Sequence, residues 1–500
     1  MEWLLSKKNK LCLDLFRYLV SQPHDTVVIQ DIICDMGISR YQVIETVKQL
    51  SLDTTKIGRI KMIYIEMIDF NHAVEIENLR LITDASLLGY YIRLSLQFDI
   101  LVDVFLENAS SNNDIAYRHA SSTSAVRLAR SDLVKSLADR DIAIKKSGNY
   151  MLVGDEKNIR MLLFESLYTA YSDFSAPLPS YVNVATQRLE ELQSLTGELG
   201  PTAEKALSIF FNVWAVRMRN EHFIVESCSR LFTPKDSMTP VANKLLSVLT
   251  QMGETILGYN SKKATKEAYF ALTALHSAGI GINTNRSDNY VKPVITTLDS
   301  IYAEISASHE KLFKVPVSEE AMQKIKTYLF AFNLRMVFFK QSGITHPVKL
   351  DDARNAYPAH VALTEQVLKQ VAPILGFTAA EFYEQAANEY LHAFISSLEK
   401  TAILPLVTLS IDTLSAPALE AIIKDRILRW PNLNVKIAKE ITASTDIYIA
   451  DVQLTDKIPG FAWRFMPDDK NFNMLHQELI DITWKKLDKS EWGYQYFSQQ

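Results

Sequence analysis

The chain contains few of the residues that support tight turns and disulfides. Glycine occurs 15 times and cysteine three times in 500 residues. This glycine content is roughly half the usual share of about 7%, which predicts long helices and few turns. Cys12, Cys34 and Cys228 form no CxxC pair and no disulfide framework. Such cysteine usage is typical of a reducing cytoplasm, where we expect this protein to be located.

The sequence also lacks the common catalytic motifs. It contains no Walker loop, no HExxH, no cysteine–histidine zinc spacing and no GxSxG elbow. The glycines at 279 and 281 are followed by no third glycine and preceded by no predicted strand, so they are a poor nucleotide-binding signal. No two carboxylates have a spacing that marks an acid and a base. We therefore expect no enzymatic activity, no cofactor and no metal.

Long uncharged apolar runs are missing as well. Arg93, Asp99 and Asp103 interrupt the most apolar window, 87–108, which argues against a membrane span. The first ten residues have too short an apolar run for a signal peptide. At 48% hydrophobic and 22% charged residues, the composition is that of a soluble globular protein without a membrane partner. The length predicts about three or four domains.

The net charge of −5 excludes a polycation, so contact with nucleic acid requires a local basic patch. Residues 118–146 form one candidate, with seven basic residues against three acidic ones, an excess of four. The basic residues are Arg118, Arg127, Arg130, Lys135, Arg140, Lys145 and Lys146.

Residues 8–51 have the pattern of three short helices, KNKLCLDLFRYLVS, VVIQDIICDM and RYQVIETVKQL. Gly37 can adopt positive φ between the second and third helices, and Ser39 can cap the third. This is the helix-turn-helix layout, and its candidate DNA-binding residues are Ser39 and, on the exposed face of the third helix, Arg40, Gln42 and Lys48. The β-rich segment 56–67 is a candidate wing. A small helical bundle without a DNA role remains the alternative.

The same order recurs in residues 84–153. The pattern predicts one long helix over 84–107, a short helix over 112–120 and another over 122–138. Two strands then flank a turn at residues 147–149. Three helices and a hairpin form a winged helix. Two successive helix-turn-helix units favour DNA binding more strongly than a single one does.

Along the last of these helices, Val126, Ala129, Leu133 and Leu137 fall on one face. Serines near a helix N-terminus can cap it and can hydrogen-bond phosphate. Either Arg127 or Arg130 can read guanine or bind phosphate, and the sequence leaves both open. The candidate DNA-binding residues of this second unit are Ser122, Ser124, Arg127, Arg130, Ser131 and Lys135, with Lys145 and Lys146 of the hairpin.

From about residue 165 to 400 the chain is predicted to be helical in two similar blocks. Each block has an apolar helix, 209–222 and 328–341, and a later tyrosine-containing helix, 266–281 and 387–400. We interpret this as a diverged internal duplication. Two unrelated helical stretches remain the alternative.

The last hundred residues change pattern. A strand is predicted at 404–411, a helix at 416–430 and strands at 432–439 and 445–452. Alternation of strand, helix and strand predicts a small α/β domain with a parallel sheet.

The segment GNYMLVGDEKNIRMLLFESLYTAY (148–171) resembles the end of the second helix-turn-helix in the Mga/AtxA family of virulence regulators of Gram-positive bacteria. Gly154, Asp155, Glu156 and Arg160 carry the match, and SRYQVIETVKQL (39–50) resembles the first recognition helix. The resemblance implies a mainly α, multidomain transcription regulator with two winged helix-turn-helix units. Two helical domains similar to phosphotransferase-system regulation domains would follow, and then a small α/β domain resembling enzyme IIB. The expected boundaries are 1–66, 67–170, 171–288, 289–400 and 401–500.

The resemblance further implies three partners: double-stranded DNA, phosphocarrier proteins of the phosphotransferase system, and a second copy of the chain bound through residues 402–500. It implies phosphorylation of histidines in the central domains, and the candidates are His222, His276, His360 and His392. For each of them, an ordinary structural role accounts for the histidine equally well. An active enzyme IIB of this type carries a cysteine in the loop after its first strand. Here that loop is SIDTLSAP (410–417), so we expect an interaction module without catalysis.

Two further classes remain as alternatives. One is an RNA-binding antiterminator that shares the regulation domains, although the helical pattern of 8–51 opposes its β-rich RNA-binding domain. The other is a helical protein-interaction scaffold without DNA reading, against which the basic stretch 118–146 argues.

Overall fold

The protein is described by a computed structural model. It covers residues 1–57, 63–70, 72–171, 189–197, 199–226, 228–281, 288–340, 350–413, 417–463 and 466–488. The chain divides into two compact units: Met1–Arg230 with Met238–Ala274, and Leu231–Ser237 with Leu275–Gln500. Helices dominate both, which confirms the mainly α, multidomain class.

The first unit begins with the predicted trihelical arrangement. Ser6 caps α1 (Lys7–Ser21) by accepting a hydrogen bond from the Asn9 amide. Gly37 ends α2 (Ile29–Met36) in the left-handed conformation, with φ 64°, before α3 (Arg40–Ile57) begins. Leu13, Leu15 and Phe16 of α1 and Val43 and Val47 of α3 are buried in the core, as their helical spacing requires.

A three-stranded antiparallel sheet accompanies these helices, in the order β1 (Thr26–Val28), β3 (Ala73–Glu77), β2 (Tyr64–Ile68). The predicted start of the second helix was wrong, because Val27 pairs with Val74 across the sheet and α2 starts only at Ile29. The candidate wing 56–67 is a strand from Tyr64 onward, while α3 continues to Ile57 and residues 58–62 lie outside the described residues.

The single helix predicted over 84–107 was also wrong. The structure has α4 (Asp84–Arg93) and α5 (Leu96–Leu106), separated at Leu94 and Ser95. Ser95 is buried, and its hydroxyl donates to the carbonyl oxygen of Leu4. At the break the chain thus contacts a residue 91 positions away, which helical periodicity does not report.

The second winged unit follows the prediction closely. It contains α6 (Asn112–Arg118), α7 (Thr123–Ala138), β4 (Ala143–Ser147) and β5 (Asn149–Val153). The two strands pair antiparallel around Gly148, whose φ is 76°.

Longer helices complete the first unit and form most of the second. In the first they are α8 (Glu156–Tyr171), α9 (Leu189–Thr196), α10 (Pro201–Arg219), α11 (Pro240–Leu257) and α12 (Ser261–Ser277), the last three residues of which belong to the second unit. In the second they are α13 (Lys292–Phe313), α14 (Glu319–Phe339), α15 (Leu350–Arg354), α16 (Pro358–Leu375), α17 (Ala379–Ser397) and α18 (Lys400–Ile403). In the second unit α17 packs on both α14 and α16, and the Tyr390 hydroxyl donates to the Asn333 Oδ1 at 2.7 Å.

The C-terminal part has the predicted parallel sheet. Its order is β7 (Val435–Ala438), β6 (Val407–Asp412), β8 (Ile447–Ala450) and β9 (Gly460–Ala462), and every pair is parallel. Two helices cover it, α19 (Pro417–Leu428) and α20 (Asp469–Asp488). The sequence pattern missed β9, which has only three residues, and α20.

Among the described residues, no helix combines the length and apolar character that crossing a membrane requires. Within the same ranges, no group of three or more histidine, cysteine or acidic side chains is arranged to hold a metal ion.

Candidate nucleic-acid interface

The N-terminus of α7 is set by its local sequence. Ser122 is the N-cap and accepts a hydrogen bond from the Ala125 amide at 3.1 Å. Ala120, in the turn before it, has a left-handed φ of 46°. Val126, Leu133 and Leu137 are buried and Ala129 is half-buried, which confirms the predicted inner face of the helix. The remaining face is therefore turned to solvent.

That outer face carries most of the predicted residues. Five of the candidates on or before α7 are exposed, namely Ser122, Ser124, Arg127, Ser131 and Lys135. Lys135 Nζ lies 3.8 Å from Asp132 Oδ1, a solvent-exposed pair that costs little to separate. Lys145 and Lys146 are exposed on β4 of the hairpin.

Arg130 is the exception, being half-buried. Its guanidinium carbon lies 4.9 Å from the centre of the Tyr150 ring on β5. Lys146, the cross-strand partner of Tyr150, has its Nζ 5.8 Å from the same ring. The ring therefore brings a cation from α7 and one from the hairpin next to each other by cation–π attraction.

Two of the seven basic residues in 118–146, although exposed, have partners within the protein. Arg118 Nη1 donates to Asp103 Oδ1 at 3.1 Å, and its Nη2 donates to the Asn108 carbonyl at 2.7 Å. Arg140 donates to the Ser136 carbonyl at 2.6 Å and its guanidinium carbon lies 4.9 Å from the centre of the Trp3 ring. Both arginines therefore remain on the basic surface, but contacts within the protein hold their side chains.

Asp103 binds His119 as well, with 2.9 Å between His119 Nε2 and Asp103 Oδ2. The other ring nitrogen of His119 lies 3.4 Å from Asp99, and burial raises the pKa of the Asp99 carboxyl. These contacts fasten the end of α6 to α5, so the turn before α7 is held in place.

The first helix-turn-helix has an analogous helix start, at the N-terminus of α3. Ser39 and Gln42 form a capping box: the Ser39 hydroxyl accepts from the Gln42 amide at 3.3 Å, and Gln42 Oε1 accepts from the Ser39 amide at 2.9 Å. Arg40 and Lys48 are exposed, and Lys48 pairs with Glu45 at 3.0 Å. The predicted residue Gln42 therefore caps its own helix through its side-chain oxygen.

The four candidate histidines lie in different environments. His392 is exposed on α17, and His222 is half-buried after α10. His276 and His360 are buried, and this burial lowers the pKa of His276 to about 3 and that of His360 to about 4. His276 Nδ1 lies 2.5 Å from the Tyr290 hydroxyl. Both buried rings are held neutral at physiological pH.

A buried ion cluster lies beside the second winged unit. Arg160 donates to Glu156 at 2.9 Å and to Glu267 at 2.6 Å, and Arg217 donates to both oxygens of Glu156 at 2.9 and 2.7 Å. Burial opposes ionisation of Glu156, yet the hydrogen bond from Arg217 and the charges of both arginines lower its pKa. The sequence indicated Glu156 and Arg160 but not their partners. Arg217 lies 61 positions from Glu156, and Glu267 lies 107 positions from Arg160.

Gly154, which precedes this cluster, is required by close approach. A β-carbon at this position would lie 2.7 Å from the Asp141 carbonyl oxygen. Without a side chain at Gly154, the end of β5 can pack directly against the backbone of Asp141, in the loop after α7. The resemblance at 154–160 therefore includes a residue that this close contact requires.

The helices, turn and hairpin of this unit define a winged helix-turn-helix DNA-binding domain. Residues 83–168 match the family described as the Mga helix-turn-helix domain. The matched stretch runs from Thr83, which caps α4, into α8. It supports a Mga-family, DNA-binding transcription regulator and confirms the resemblance at this level. No curated protein matches the chain.

Proposed function

We propose that the protein binds double-stranded DNA through its two N-terminal winged units and that its central helical domains tune this binding. The observation that carries the proposal is the exposed face of α7 with the adjoining hairpin, in the domain matched at 83–168. Arg127, Lys135, Lys145 and Lys146 are exposed there, close to a capped helix N-terminus that suits phosphate. Two winged units per chain imply an extended DNA site. We propose no catalytic role for the protein.

Regulation would come from phosphorylation of the central domains by phosphocarrier proteins of the phosphotransferase system. A phosphoryl group adds almost two negative charges and needs an accessible ring nitrogen. His392 and His222 meet this requirement better than His276 and His360, which are buried. We therefore rank His392 and His222 first. Incubation with phosphorylated phosphocarrier protein and peptide mass spectrometry would test the ranking, with His392→Ala and His222→Ala expected to remove the label.

We further propose that residues 402–500 join two copies of the chain. Their parallel four-stranded sheet is of the kind that the resemblance to enzyme IIB implies, and residues 489–500 lie outside the described residues. Light scattering of the full chain and of a chain that ends before residue 402 would test this, since only the full chain should form a dimer.

The DNA-binding proposal is tested by mapping the DNA that the protein binds in cells grown on different sugars, followed by measurement on the enriched sequences. We expect Arg127→Ala with Lys135→Ala to weaken binding and lower its salt dependence. A matched control, Lys369→Ala with Lys470→Ala, removes two charges from exposed positions in the second unit. Absence of enrichment anywhere would refute DNA binding. Equal affinity and salt slope in the first variant would refute α7 as the main reader.

A helical interaction scaffold is the second candidate, and the contacts of Arg118 and Arg140 within the protein are the observation in its favour. It predicts no DNA enrichment in the same experiment. The RNA-binding alternative has less support, because the N-terminus consists of α1, α2 and α3 with a small sheet instead of a β-rich domain.

A further inference from the structure

His222 and Glu107 form a contact between the segment after α10 and the end of α5, 115 positions apart. His222 Nε2 lies 2.5 Å from Glu107 Oε1, and the two side chains are 21% and 18% exposed. Glu107 adopts a left-handed φ of 55° as it ends α5. Both residues belong to the first unit. The pair thus links the predicted first regulation domain with the second winged unit.

The backbone of His222 is held by the buried ion cluster. Its carbonyl oxygen accepts from Arg160 Nη2 at 2.9 Å, and its amide donates to the Arg217 carbonyl at 2.9 Å. Arg160 and Arg217 are themselves fixed by Glu156 and buried completely. Hydrogen bonds on both sides therefore fix the backbone that carries the His222 ring.

Glu107, on the other side, holds the hairpin. Its carbonyl oxygen accepts from Asn149 Nδ2 at 2.5 Å, and the Ala109 carbonyl accepts from the Tyr150 amide at 2.9 Å. Tyr150 in turn lies against Arg130 and Lys146. A continuous series of contacts therefore runs from the His222 ring to the basic surface formed by α7 and the hairpin.

The His222 ring also has space beside it. A cavity of about 390 Å³ borders it, whose charged lining consists of two cations, Lys157 and Arg217, and four carboxylates, Asp155, Glu156, Glu221 and Glu226. The ring therefore borders open space, and a negative charge attached to it would meet carboxylates there as well as the two cations.

We propose that the His222–Glu107 pair is a latch that positions the hairpin against α7 and so sets the affinity for DNA. The expected effect on DNA affinity rests on the proposed function, whereas the mobility of the hairpin can be measured without DNA. A negative charge at His222 would face the Glu107 carboxylate at hydrogen-bond distance and open the latch. A displaced Glu107 would weaken the hydrogen bond from Asn149 to its carbonyl oxygen, which is one of the contacts that hold the hairpin, and Tyr150 would position Arg130 and Lys146 less firmly.

The test compares His222→Glu, His222→Gln and Glu107→Gln in the full-length chain. Amide hydrogen exchange across Ala143–Val153 reports the hairpin, and affinity for a fluorescein-labelled mixed-sequence duplex at low salt reports DNA binding. We expect His222→Glu to speed hairpin exchange and weaken DNA binding roughly threefold to tenfold. His222→Gln should stay near wild type, because its amide can still donate to Glu107. Adding Glu107→Gln to His222→Glu should restore part of the affinity, since the like-charge contact is then removed.

The control is Gln370→Glu, which adds the same negative charge at an exposed position of the second compact unit that is no phosphorylation candidate. Equal hairpin exchange in His222→Glu and wild type would overturn the latch, as would an equal effect of Gln370→Glu. If His222→Glu fails to fold, Glu107→Ala decides, since it removes the acceptor of the His222 ring and must still loosen the hairpin. A wild-type chain that does not bind the duplex would refute the proposed function, whereas the exchange data would still decide on the latch.

Discussion

Arg160 and Glu267 form two hydrogen bonds, of 2.6 and 3.3 Å, although 107 positions separate them in the chain. Each side chain is 1% exposed. Glu267 also accepts from the Trp214 indole at 3.1 Å and the Ile224 amide at 2.9 Å. With Glu156 and Arg217 the cluster contains two cations and two anions, so its buried charge is balanced.

Removing one partner of this cluster is expected to be severe. Glu267→Ala leaves Arg160 buried with one carboxylate fewer, and a buried pair broken in this way loses about 3–5 kcal/mol of stability. Urea unfolding followed by tryptophan fluorescence would measure the loss. Glu320→Ala is the control, because Glu320 pairs with Lys324 on the exposed surface of α14 and should leave stability unchanged. Similar stabilities for the two variants would contradict the assigned role of the cluster.

The two helix-turn-helix turns predict opposite effects of reciprocal substitutions. Gly37 and Ala120 both adopt left-handed φ, 64° and 46°, before a recognition helix. Nothing lies within 4 Å of a β-carbon built on Gly37, so the cost of Gly37→Ala is conformational, about 1 kcal/mol. Ala120→Gly should stabilise by up to about 1 kcal/mol, because it relieves the same strain. Thermal unfolding would measure both, and a shift in the same direction would refute this account.

The hairpin lysines should determine part of the salt dependence of DNA binding. Lys145→Ala with Lys146→Ala is expected to lower the slope of log affinity against log salt by about 0.9 for each phosphate that the protein no longer neutralises. Titrations of a bound duplex at several salt concentrations would measure it. The control pair Lys369→Ala and Lys470→Ala should leave the slope unchanged. An unaltered slope in the hairpin variant would exclude the hairpin from the interface.

Stability of the second unit should fall in acid because of His276. In the folded protein burial lowers the pKa of His276 to about 3 from an ordinary value of 6.5, so the unfolded state binds more protons between these values. Stability is therefore complete above pH 6.5 and is lost as the pH falls toward about 3, at up to about 1.4 kcal/mol per pH unit.

His276→Gln should weaken this pH dependence, whereas His392→Gln, at an exposed position, should preserve it. Urea unfolding at a series of pH values would measure both. Identical profiles for His276→Gln and wild type would show that another group is responsible.

Local sequence predicted the second winged unit well. The spacing of Val126, Leu133 and Leu137 indicated the buried face of α7, and Ser122 indicated its start. Both features depend on residues a few positions apart, which the helix itself brings together. The single helix predicted over 84–107 was wrong, and at its break the Ser95 hydroxyl donates a hydrogen bond to the carbonyl oxygen of Leu4, far away in sequence.

The candidate site was predicted less completely. Arg118 and Arg140 were counted with the basic surface, yet one binds Asp103 and the other lies against Trp3. Charge type can be read from the sequence, but the partner of each charge depends on which helices pack together. For the same reason neither Arg217 nor Glu267 could be connected with Arg160.

By itself, the sequence determined the helical class, the two helix-turn-helix patterns and the parallel C-terminal sheet, because periodicity, capping residues and turn residues act over short distances. Only the tertiary structure decided that His276 and His360 are buried while His392 is exposed. It alone joined His222 to Glu107 and Glu107 to the hairpin. Such contacts form when separate helices pack, and no local pattern specifies the residue on the opposite side.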